Sequence, residues 1–317
     1  MRFCFRSVLV LAICLMVSLQ NAYGWNAIGH MAVAYVAYQK LTPQQKARVT
    51  ALLTLNPNYS KWLSYIPAGT AVADRDTYVF MMASTWPDEI KVRDSGYQSD
   101  GDTPPSTPEA TSNVGYTDLV MHKYWHYVDL PFSSDGTSPL PAVPSPNAET
   151  QIIALRTDLA SDEQDAVKSY DLVWLLHLVG DIHQPLHCTT RITQAKPNGD
   201  LGGNLVTLSG NPNELHAYWD DLLGMGSTQN YSVAVTAAQA LAPARAKAAA
   251  DLKTEDWVNE SFALAKSRVY AEPIEAGMGP YTIGKNSKYE RQSIAVAKRR
   301  VALAGARLAN VLNAELK

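Results

Sequence analysis

The sequence predicts a mainly α protein, a single-domain multi-helix bundle with at most a small β-hairpin. Helix-start signals precede segments whose apolar residues recur with helical spacing, whereas only one short segment has the character of a strand. No internal repeat, heptad array or linker divides the chain into separate domains. With 46% hydrophobic and 18% charged residues, the chain has enough apolar side chains for one large core or two modest ones.

Two predicted helices begin at capping signals. Residues 42–45 read Thr-Pro-Gln-Gln, a capping-box pattern with proline at the first helical position, and they predict a helix through about Leu53. Residues 161–164 read Ser-Asp-Glu-Gln and repeat the signal. The helix that follows has a buried-looking face of leucine, valine and glycine, and it should stop near Pro185.

The second half of the chain adds two more helices and one strand. Residues 235–252 are alanine-rich, and residues 293–316 have helical apolar periodicity. The predicted strand covers residues 204–208 and follows a pair of glycines. Residues 98–117 and 132–147 are rich in proline, serine and glycine, so we expect long surface loops there.

Residues 1–24 have the three parts of a secretory signal peptide. Two arginines precede an apolar run, and Ala-Tyr-Gly at residues 22–24 is a small-x-small cleavage pattern. Cleavage there leaves a domain of residues 25–317 that begins at Trp25. No second apolar run approaches the ~20 residues needed to cross a bilayer, so we expect a secreted or periplasmic protein with no membrane anchor after cleavage.

Charge and cysteine content restrict how the exported domain is stabilised and what it binds. The formal net charge is −3, and loss of Arg2 and Arg6 with the signal makes it −5. Nucleic-acid binding therefore depends on local cations, because no basic field covers the surface. Cys4 and Cys14 leave with the signal, so Cys188 cannot form an intrachain disulfide. Bound metal is one candidate for the missing source of stability.

The mature N-terminus offers a metal chelate. It begins Trp-Asn-Ala-Ile-Gly-His, which places a free α-amine and a backbone carbonyl at Trp25 close in sequence to the imidazole of His30. The precursor cannot offer this group, because its Trp25 nitrogen belongs to an amide. The alternative is an ordinary secreted N-terminus with a core tryptophan and an unrelated histidine.

Two histidine-aspartate pairs recur at helical spacing. His177 with Asp181, and His216 with Asp220, stand four residues apart, so the members of each pair share one helical face. Either pair alone is more simply a surface ion pair. Both occur among apolar or aromatic residues, however, where a carboxylate without a partner is costly to desolvate. No lysine or arginine lies in residues 177–187, so a divalent metal is the simplest partner.

Further histidines and aspartates complete a candidate ligand set. Its members are the Trp25 amine and carbonyl, His30, Asp88, His126, His177, Asp181, His187, His216 and Asp220. At roughly three protein donors per catalytic zinc, this set supplies three ions if Asp181 bridges two of them. Imidazole, carboxylate and amine donors favour zinc, though iron, manganese or cobalt would accept a similar set. We expect His122 and His183 to support or pack around the ligands.

Together these motifs resemble the zinc-dependent, single-strand-preferring nucleases of the P-one/S-one type, distant relatives of bacterial zinc phospholipases C. The shared pattern comprises N-terminal Trp-Asn-x-x-Gly-His, Trp-x-Asp, His-Tyr-x-Asp, His-x3-Asp-x-His-x-Pro-x-His, Gly-Gly-Asn and His-x3-Asp. It continues through Trp257, Glu260 and residues 305–313, so it covers essentially the whole mature chain. The lack of cysteine pairs favours a bacterial member.

The resemblance implies a cluster of three zinc ions that hydrolyses nucleic acid. One ion would be held by Asp88, His126, His177 and Asp181, its neighbour by the Trp25 amine and carbonyl, His30 and Asp181, and the third by His187, His216 and Asp220. A hydroxide between the bridged pair would attack phosphorus in line, and the third ion would stabilise the leaving 3′-oxygen. The expected enzyme is a monomer that cleaves RNA and single-stranded DNA, with duplex DNA a further candidate, to 5′-phosphorylated products. Nucleoside 3′-monophosphates are additional expected substrates.

The resemblance also implies roles for residues beside the ligands. Asp88 and Lys91 are the expected catalytic residues, and Lys91 stands where fungal relatives carry a phosphate-holding arginine. An ammonium lacks the bidentate fork of arginine, which leaves the strength of that contact open. Tyr127 and Asp129 would bind a nucleobase, which favours unpaired strands, and Asn204 would position phosphate or its loop. The alternatives are that Tyr127 only packs beside its metal-ligand neighbour and that Asn204 only shapes a turn.

Two other functions use such a ligand set. A zinc phospholipase C acts on lipid phosphodiesters, but it would be expected to show a greasy rim or an added membrane-binding domain, and this chain ends shortly after its last predicted helix. A non-catalytic secreted zinc-binding protein would need the ligands but neither Lys91 nor the pair Tyr127 and Asp129.

Overall fold

The structure is mainly helical, which confirms the predicted fold class. The computed structural model describes residues 24–92, 95–105, 119–275 and 277–317. The predicted signal peptide, apart from Gly24, and residues 106–117 of the first predicted loop lie outside these ranges. No described helix combines the length and the apolar character that a bilayer crossing requires.

The helices are named in chain order. They are α1 (Ala27–Lys40), α2 (Pro43–Thr54), α3 (Tyr59–Ser64), α4 (Val72–Ala83), α5 (Trp86–Glu89), α6 (Ala148–Ala160), α7 (Asp165–Asp181), α8 (Leu215–Asp220), α9 (Tyr231–Gln239), α10 (Ala246–Ala249), α11 (Thr254–Leu264) and α12 (Lys288–Glu315). Short 3₁₀-helices cover Lys123–His126 and Pro185–Cys188. The first ends at the predicted metal ligand His126, and the second contains the predicted ligand His187.

One small sheet occurs in the described part of the chain. Its strands are β1 (Pro131–Ser133) and β2 (Thr190–Ile192), which pair in parallel with Phe132 opposite Arg191. The β structure is as small as predicted, but it is a parallel pair and not a hairpin, since parallel strands need a crossover connection. Here α6 and α7 lie between the two strands in sequence.

The core is built around α1 and α7. Helix α1 packs against α4, α9 and α12, and α7 packs against α2, α5 and α6. Every residue of α7 from Lys168 to Asp181 is buried, so this helix is enclosed on all sides and not on one face alone. Because α7 ends with His177 and Asp181, its burial places an imidazole and a carboxylate deep inside the protein.

The helix-start predictions are confirmed at α2 and corrected at α7. Thr42 caps α2 as expected, with its hydroxyl oxygen accepting a hydrogen bond from Gln45 N at 3.2 Å. The Ser-Asp-Glu-Gln segment instead connects α6 to α7. Ser161 ends α6 by donating to Asp158 O at 2.7 Å, and it accepts from Glu163 N at 3.0 Å. These local bonds use the serine that the predicted cap needed.

Two further predictions need correction. The alanine-rich segment forms α9 and α10 and not one helix, because Pro243 between them lacks a backbone N–H and disfavours helical geometry in the residue before it. The predicted strand at residues 204–208 is mostly a turn. Leu205 N donates back to Asp200 O at 3.1 Å, and only isolated bridges follow, at Thr207 and Leu208.

The contact between α1 and α12 depends on a glycine. A β-carbon added to Gly305 would lie 2.6 Å from Val36 Cβ and 2.7 Å from Val33 O, which is closer than atoms can pack. Val33 is fully buried. The absence of a side chain at Gly305 therefore allows α1 and α12 to pack closely against each other.

We expect Gly305→Ala to destabilise the protein by about 1–3 kcal/mol, the usual cost of overpacking a core. Helix propensity alone predicts the opposite sign, a gain of roughly 0.5–1 kcal/mol for alanine in a helix. The sign of the change in the free energy of unfolding, measured by chemical denaturation, therefore distinguishes the two effects. An unchanged or higher free energy of unfolding would show that α1 and α12 are not closely packed at this point.

Candidate metal centre

The predicted ligand side chains come together from six parts of the chain. His30 lies on α1, Asp88 on α5, His126 and His187 on the two 3₁₀-helices, His177 and Asp181 on α7, and His216 and Asp220 on α8. They form three buried groups in which potential donor atoms lie within 4.8 Å of one another. The groups are His30, His177 and Asp181; Asp88, His126 and His177; and His187, His216 and Asp220.

Asp181 lies at the centre of the first two groups. Its Oδ1 is 3.3 Å from His30 Nε2, and its Oδ2 is 3.0 Å from His126 Nδ1 and 3.2 Å from His177 Nε2. The carboxylate is fully buried. Within the described ranges, Asp181 Oδ1 and His30 Nε2 have no hydrogen-bond partner although they face each other. A cation between them would satisfy both atoms, so the residues fit a metal site.

Asp88 approaches the same three imidazoles from the other side. Its carboxylate oxygens lie 3.5 Å from His177 Nε2 and 3.9 Å from His30 Nε2. Lys91, one helical turn further along the chain, places its Nζ 2.6 Å from Asp88 Oδ1. Lys91 is only 5% exposed, so its ammonium group is held at the edge of the cluster and not in bulk solvent.

Backbone carbonyls orient the imidazole rings. In three rings Nδ1 lies 2.6–2.7 Å from a carbonyl oxygen, which can only accept: His177 on Ser84 O, His187 on His126 O and His216 on Gly202 O. Nδ1 therefore carries a proton in each of these rings, and Nε2 is the atom that faces the cluster. This is the arrangement by which proteins fix histidine ligands of metals.

The third group shows most directly why a cation is needed. His187 Nε2 and His216 Nε2 are 3.0 Å apart, and Asp220 Oδ2 is 3.6 Å from His216 Nε2. With both Nδ1 atoms donating to carbonyls, two neutral rings would present lone pairs to each other at their Nε2 atoms. That contact is repulsive, and a cation among the three side chains turns it into shared coordination.

Burial and charge shift the pKa values of the cluster. Burial, with Lys91 nearby, lowers the pKa of His126 to about 3, and burial raises the pKa of Asp220 well above its usual range. Burial would also lower the pKa of His177, but Asp181 and Asp88 outweigh it and raise that pKa to about 10. The proton that these carboxylates hold on His177 Nε2 occupies the place that a divalent cation would take.

The residue before Trp25 lies against the cluster. A β-carbon added to Gly24 would be 1.7 Å from Asp181 Oδ1 and 3.0 Å from His30 Nε2. Trp25 is fully buried, and Asn26 fixes the segment by donating from its side chain to Asp221 Oδ1 at 2.7 Å. Gly24 therefore occupies space beside two predicted ligands.

A cavity of about 460 Å³ opens beside the ligands, and Lys91, Tyr127, Asp129, Asn204 and His216 are among its lining residues. The predicted substrate contacts therefore face one space. The Tyr127 hydroxyl donates to Asp102 O. Burial, with Asp200 nearby, raises the pKa of Asp129 to about 7. Asn204 Nδ2 donates to Leu201 O at 2.6 Å, a contact that favours the turn-shaping alternative for Asn204.

Side chains outside the predicted ligand set support it. Gln184 donates to Asp220 Oδ1 at 2.8 Å, a contact that the sequence did not predict. The one signal in the sequence was the position of Gln184 between two histidines, His183 and His187. His122 stacks on Trp125 with 3.8 Å between ring centroids. His183 Nδ1 lies 2.7 Å from Val179 O. These contacts agree with packing and supporting roles for the last two histidines.

Comparison with known proteins points to one family. Residues 25–317 match the family model described as S1/P1 Nuclease. The chain is 25% identical to Nuclease S1 of Aspergillus oryzae (strain ATCC 42149 / RIB 40) over 242 residues, 74% of this chain and 63% of that protein. It is 27% identical to Endonuclease 5 of Arabidopsis thaliana over 157 residues, 46% of this chain and 44% of that protein. The chain thus spans less than two thirds of either relative. The match over residues 25–317 shows that the chain belongs to the S1/P1 nuclease family.

Proposed function

We propose that this chain is an exported zinc-dependent endonuclease that hydrolyses phosphodiester bonds of RNA and single-stranded DNA to 5′-phosphorylated products. We further propose that it acts as a monomer and dephosphorylates nucleoside 3′-monophosphates. The observation that carries the proposal is the position of three buried histidine-aspartate groups beside a cavity that Tyr127 and Asp129 line. Membership of a nuclease family, with relatives named Nuclease S1 and Endonuclease 5, supports phosphodiester hydrolysis.

The donor set fits zinc, because it combines imidazole nitrogens with carboxylate oxygens and includes no thiolate. The proposed sets are Asp88, His126, His177 and Asp181 for one ion; the Trp25 amine and carbonyl, His30 and Asp181 for its neighbour; and His187, His216 and Asp220 for the third. When bound, zinc supplies a hydroxide from coordinated water near neutral pH and neutralises charge on phosphate oxygens.

The protein's own residues orient the substrate against this centre. Lys91 keeps a positive charge beside Asp88 and lines the cavity, where it can attract a phosphate group. Tyr127 offers an aromatic face on which a nucleobase can stack, and Asp129 can accept a hydrogen bond from the edge of that base. Bases in a duplex have no free face, so this arrangement favours unpaired strands.

Export processing would complete the centre. Removal of residues 1–24 converts the Trp25 nitrogen from an amide to an amine and also removes Gly24, which lies against Asp181 and His30. The family match begins at Trp25, the residue that the predicted cleavage exposes. We therefore propose that the protein is secreted or periplasmic and becomes active only after its signal peptide is removed.

The metal prediction is tested by elemental analysis of the mature protein. We expect about three zinc ions per chain, and we expect chelation to abolish cleavage and lower the unfolding temperature, since metal-binding free energy is also folding free energy.

Asp181→Ala should lose zinc and all activity on RNA and single-stranded DNA. Asp165→Ala is the matched control, because Asp165 lies outside the three groups and forms an exposed ion pair with Arg48. Full activity with one metal or none would contradict the prediction, and cleavage of phosphatidylcholine instead of nucleic acid would favour a phospholipase.

A single-residue extension tests the role of the N-terminus. We compare protein that begins at Trp25 with protein that retains only Gly24 before it. The extended form should fold, yet it should bind less zinc and lose most of its turnover, because its Trp25 nitrogen is an amide and Gly24 occupies space beside Asp181. Intact mass confirms each N-terminus. Equal zinc content and equal turnover in the two forms would exclude the terminal chelate.

Two substitutions at Tyr127 separate base stacking from metal assembly. Tyr127→Ala removes the aromatic face, and stacking is worth roughly 1–3 kcal/mol per base, so kcat/KM on single-stranded DNA and RNA should fall by about one to two powers of ten. Tyr127→Phe keeps the ring and removes only the hydroxyl that donates to Asp102 O, so it should stay close to wild type. Zinc content should not change in either variant. Wild-type kcat/KM in Tyr127→Ala would leave Tyr127 as packing around His126.

A further inference from the structure

A buried charged network contacts the glycine-rich turn at residues 201–203 and contains none of the predicted ligands. Asp200 is fully buried, and its Oδ1 accepts hydrogen bonds from Arg191 N at 2.9 Å and Gly203 N at 3.3 Å. Its Oδ2 accepts from the Tyr270 hydroxyl at 2.8 Å and lies 3.4 Å from Arg191 Nε. We call Arg191, Asp200 and Tyr270 the Asp200 network.

Arg191 anchors this network to two other segments. The residue belongs to β2 and is 1% exposed, and its guanidinium group donates to Gly277 O at 2.8 Å and also to Glu275 O. The same group lies over the Tyr270 ring, with 4.7 Å between Cζ and the ring centroid. Asp200 is therefore fixed from the sheet and from the segment that follows α11, and it supplies the negative charge that the buried guanidinium requires.

The turn that Asp200 holds has an unfavourable backbone. Leu201, Gly202 and Gly203 have φ values of 54°, 59° and 85°, so consecutive residues adopt left-handed geometry. For a leucine this geometry is strained, and it persists only where surrounding contacts enforce it. A β-carbon on Gly202 would lie 2.5 Å from Leu186 O, so the turn also approaches the 3₁₀-helix that carries His187. Asp200 Oδ1 enforces the turn because it accepts from Gly203 N inside the turn and from Arg191 N on β2, which ties the turn to the sheet.

This turn contacts a predicted ligand through one atom. Gly202 O accepts the hydrogen bond from His216 Nδ1 at 2.7 Å, which leaves His216 Nε2 directed at His187 Nε2 at 3.0 Å. Gly203, the next residue, is bonded directly to Asp200 Oδ1. A shift of the turn would therefore move the carbonyl that sets the tautomer and the angle of the His216 ring.

We propose that Asp200, held by Arg191 and Tyr270, is a positioning residue that fixes the Gly202 carbonyl and thereby the orientation of His216. It sets the affinity of the His187, His216 and Asp220 group for its metal without touching that metal. The proposal rests on the proposed function, because it takes these three residues as zinc ligands. The network therefore acts on the zinc ion of the His187, His216 and Asp220 group, because Gly202 O accepts from His216 of that group.

The test uses two variants of the mature protein. Asp200→Asn keeps the side-chain volume but removes one acceptor and leaves the buried Arg191 charge without its partner. Tyr270→Phe removes only the hydroxyl that donates to Asp200. Glu315→Gln is the control, because its ion pair with Arg156, at 2.5 Å, joins α12 to α6 and breaking it costs stability elsewhere in the fold. Zinc bound per chain is measured against a series of buffered free-zinc concentrations, together with the unfolding temperature and kcat/KM.

We expect one zinc ion of the set to dissociate at free-zinc concentrations about 10–100-fold higher in Asp200→Asn than in wild type, with a smaller shift in Tyr270→Phe. The affinities of the remaining ions and the control should match wild type. Restoring saturating zinc should recover kcat in both variants. A merely destabilised fold would instead lower the affinities of all the ions together and not of one ion alone.

Wild-type zinc affinities in a folded Asp200→Asn protein would overturn the proposal. If Asp200→Asn does not fold, the zinc-binding isotherm of Tyr270→Phe tests the proposal. An isotherm equal to that of wild type would contradict it. A wild-type protein that binds no zinc would instead refute the proposed function. The two failures are therefore distinguishable.

Discussion

The structure depends on one constraint: the carboxylate of Asp181 is completely buried and faces imidazoles on several other segments. His30, His126 and His177 each place a ring nitrogen within 3.3 Å of its oxygens. An ionised carboxylate in such a place is stable only with a cation or with protons shared among the rings. No arginine or lysine stands among the described contacts of Asp181. The positive charge beside it is the protonated imidazole of His177, whose pKa is raised to about 10, and we propose that a divalent metal ion takes the place of that proton.

The rest of the site follows from holding that carboxylate and its neighbours in fixed positions. Helix α7 is buried on all sides, so His177 and Asp181 have a rigid support. Carbonyls of Ser84, His126 and Gly202 then orient His177, His187 and His216, respectively. None of these carbonyls belongs to a long regular element. The short helices and turns around the site therefore orient the histidine rings, and the helical core supports them.

Much of the candidate site could be predicted from the sequence because its spacing follows helical geometry. His177 with Asp181, and His216 with Asp220, fall on single helical faces in the structure, and their apolar surroundings correctly indicated burial. Thr42 likewise identified the start of α2. Such signals are local, so one sequence is enough to read them.

The remaining features depend on tertiary contacts that no local pattern encodes. The segment at residues 204–208 looked like a strand, but Asp200 and its buried partner Arg191 enforce a turn there. Gln184 had no signal beyond its neighbours, since its partner Asp220 is 36 residues away. Their roles appear only when distant segments are brought together.

Anomalous diffraction at the zinc absorption edge, from crystals of protein that begins at Trp25, tests the central claim most directly. Three peaks should appear, two of them on opposite sides of Asp181 and one among His187, His216 and Asp220, with the Trp25 nitrogen in contact with one of the first two. A map with one peak or none, or with peaks that do not touch Asp181, would contradict the view that a buried carboxylate shared by metal ions organises this protein.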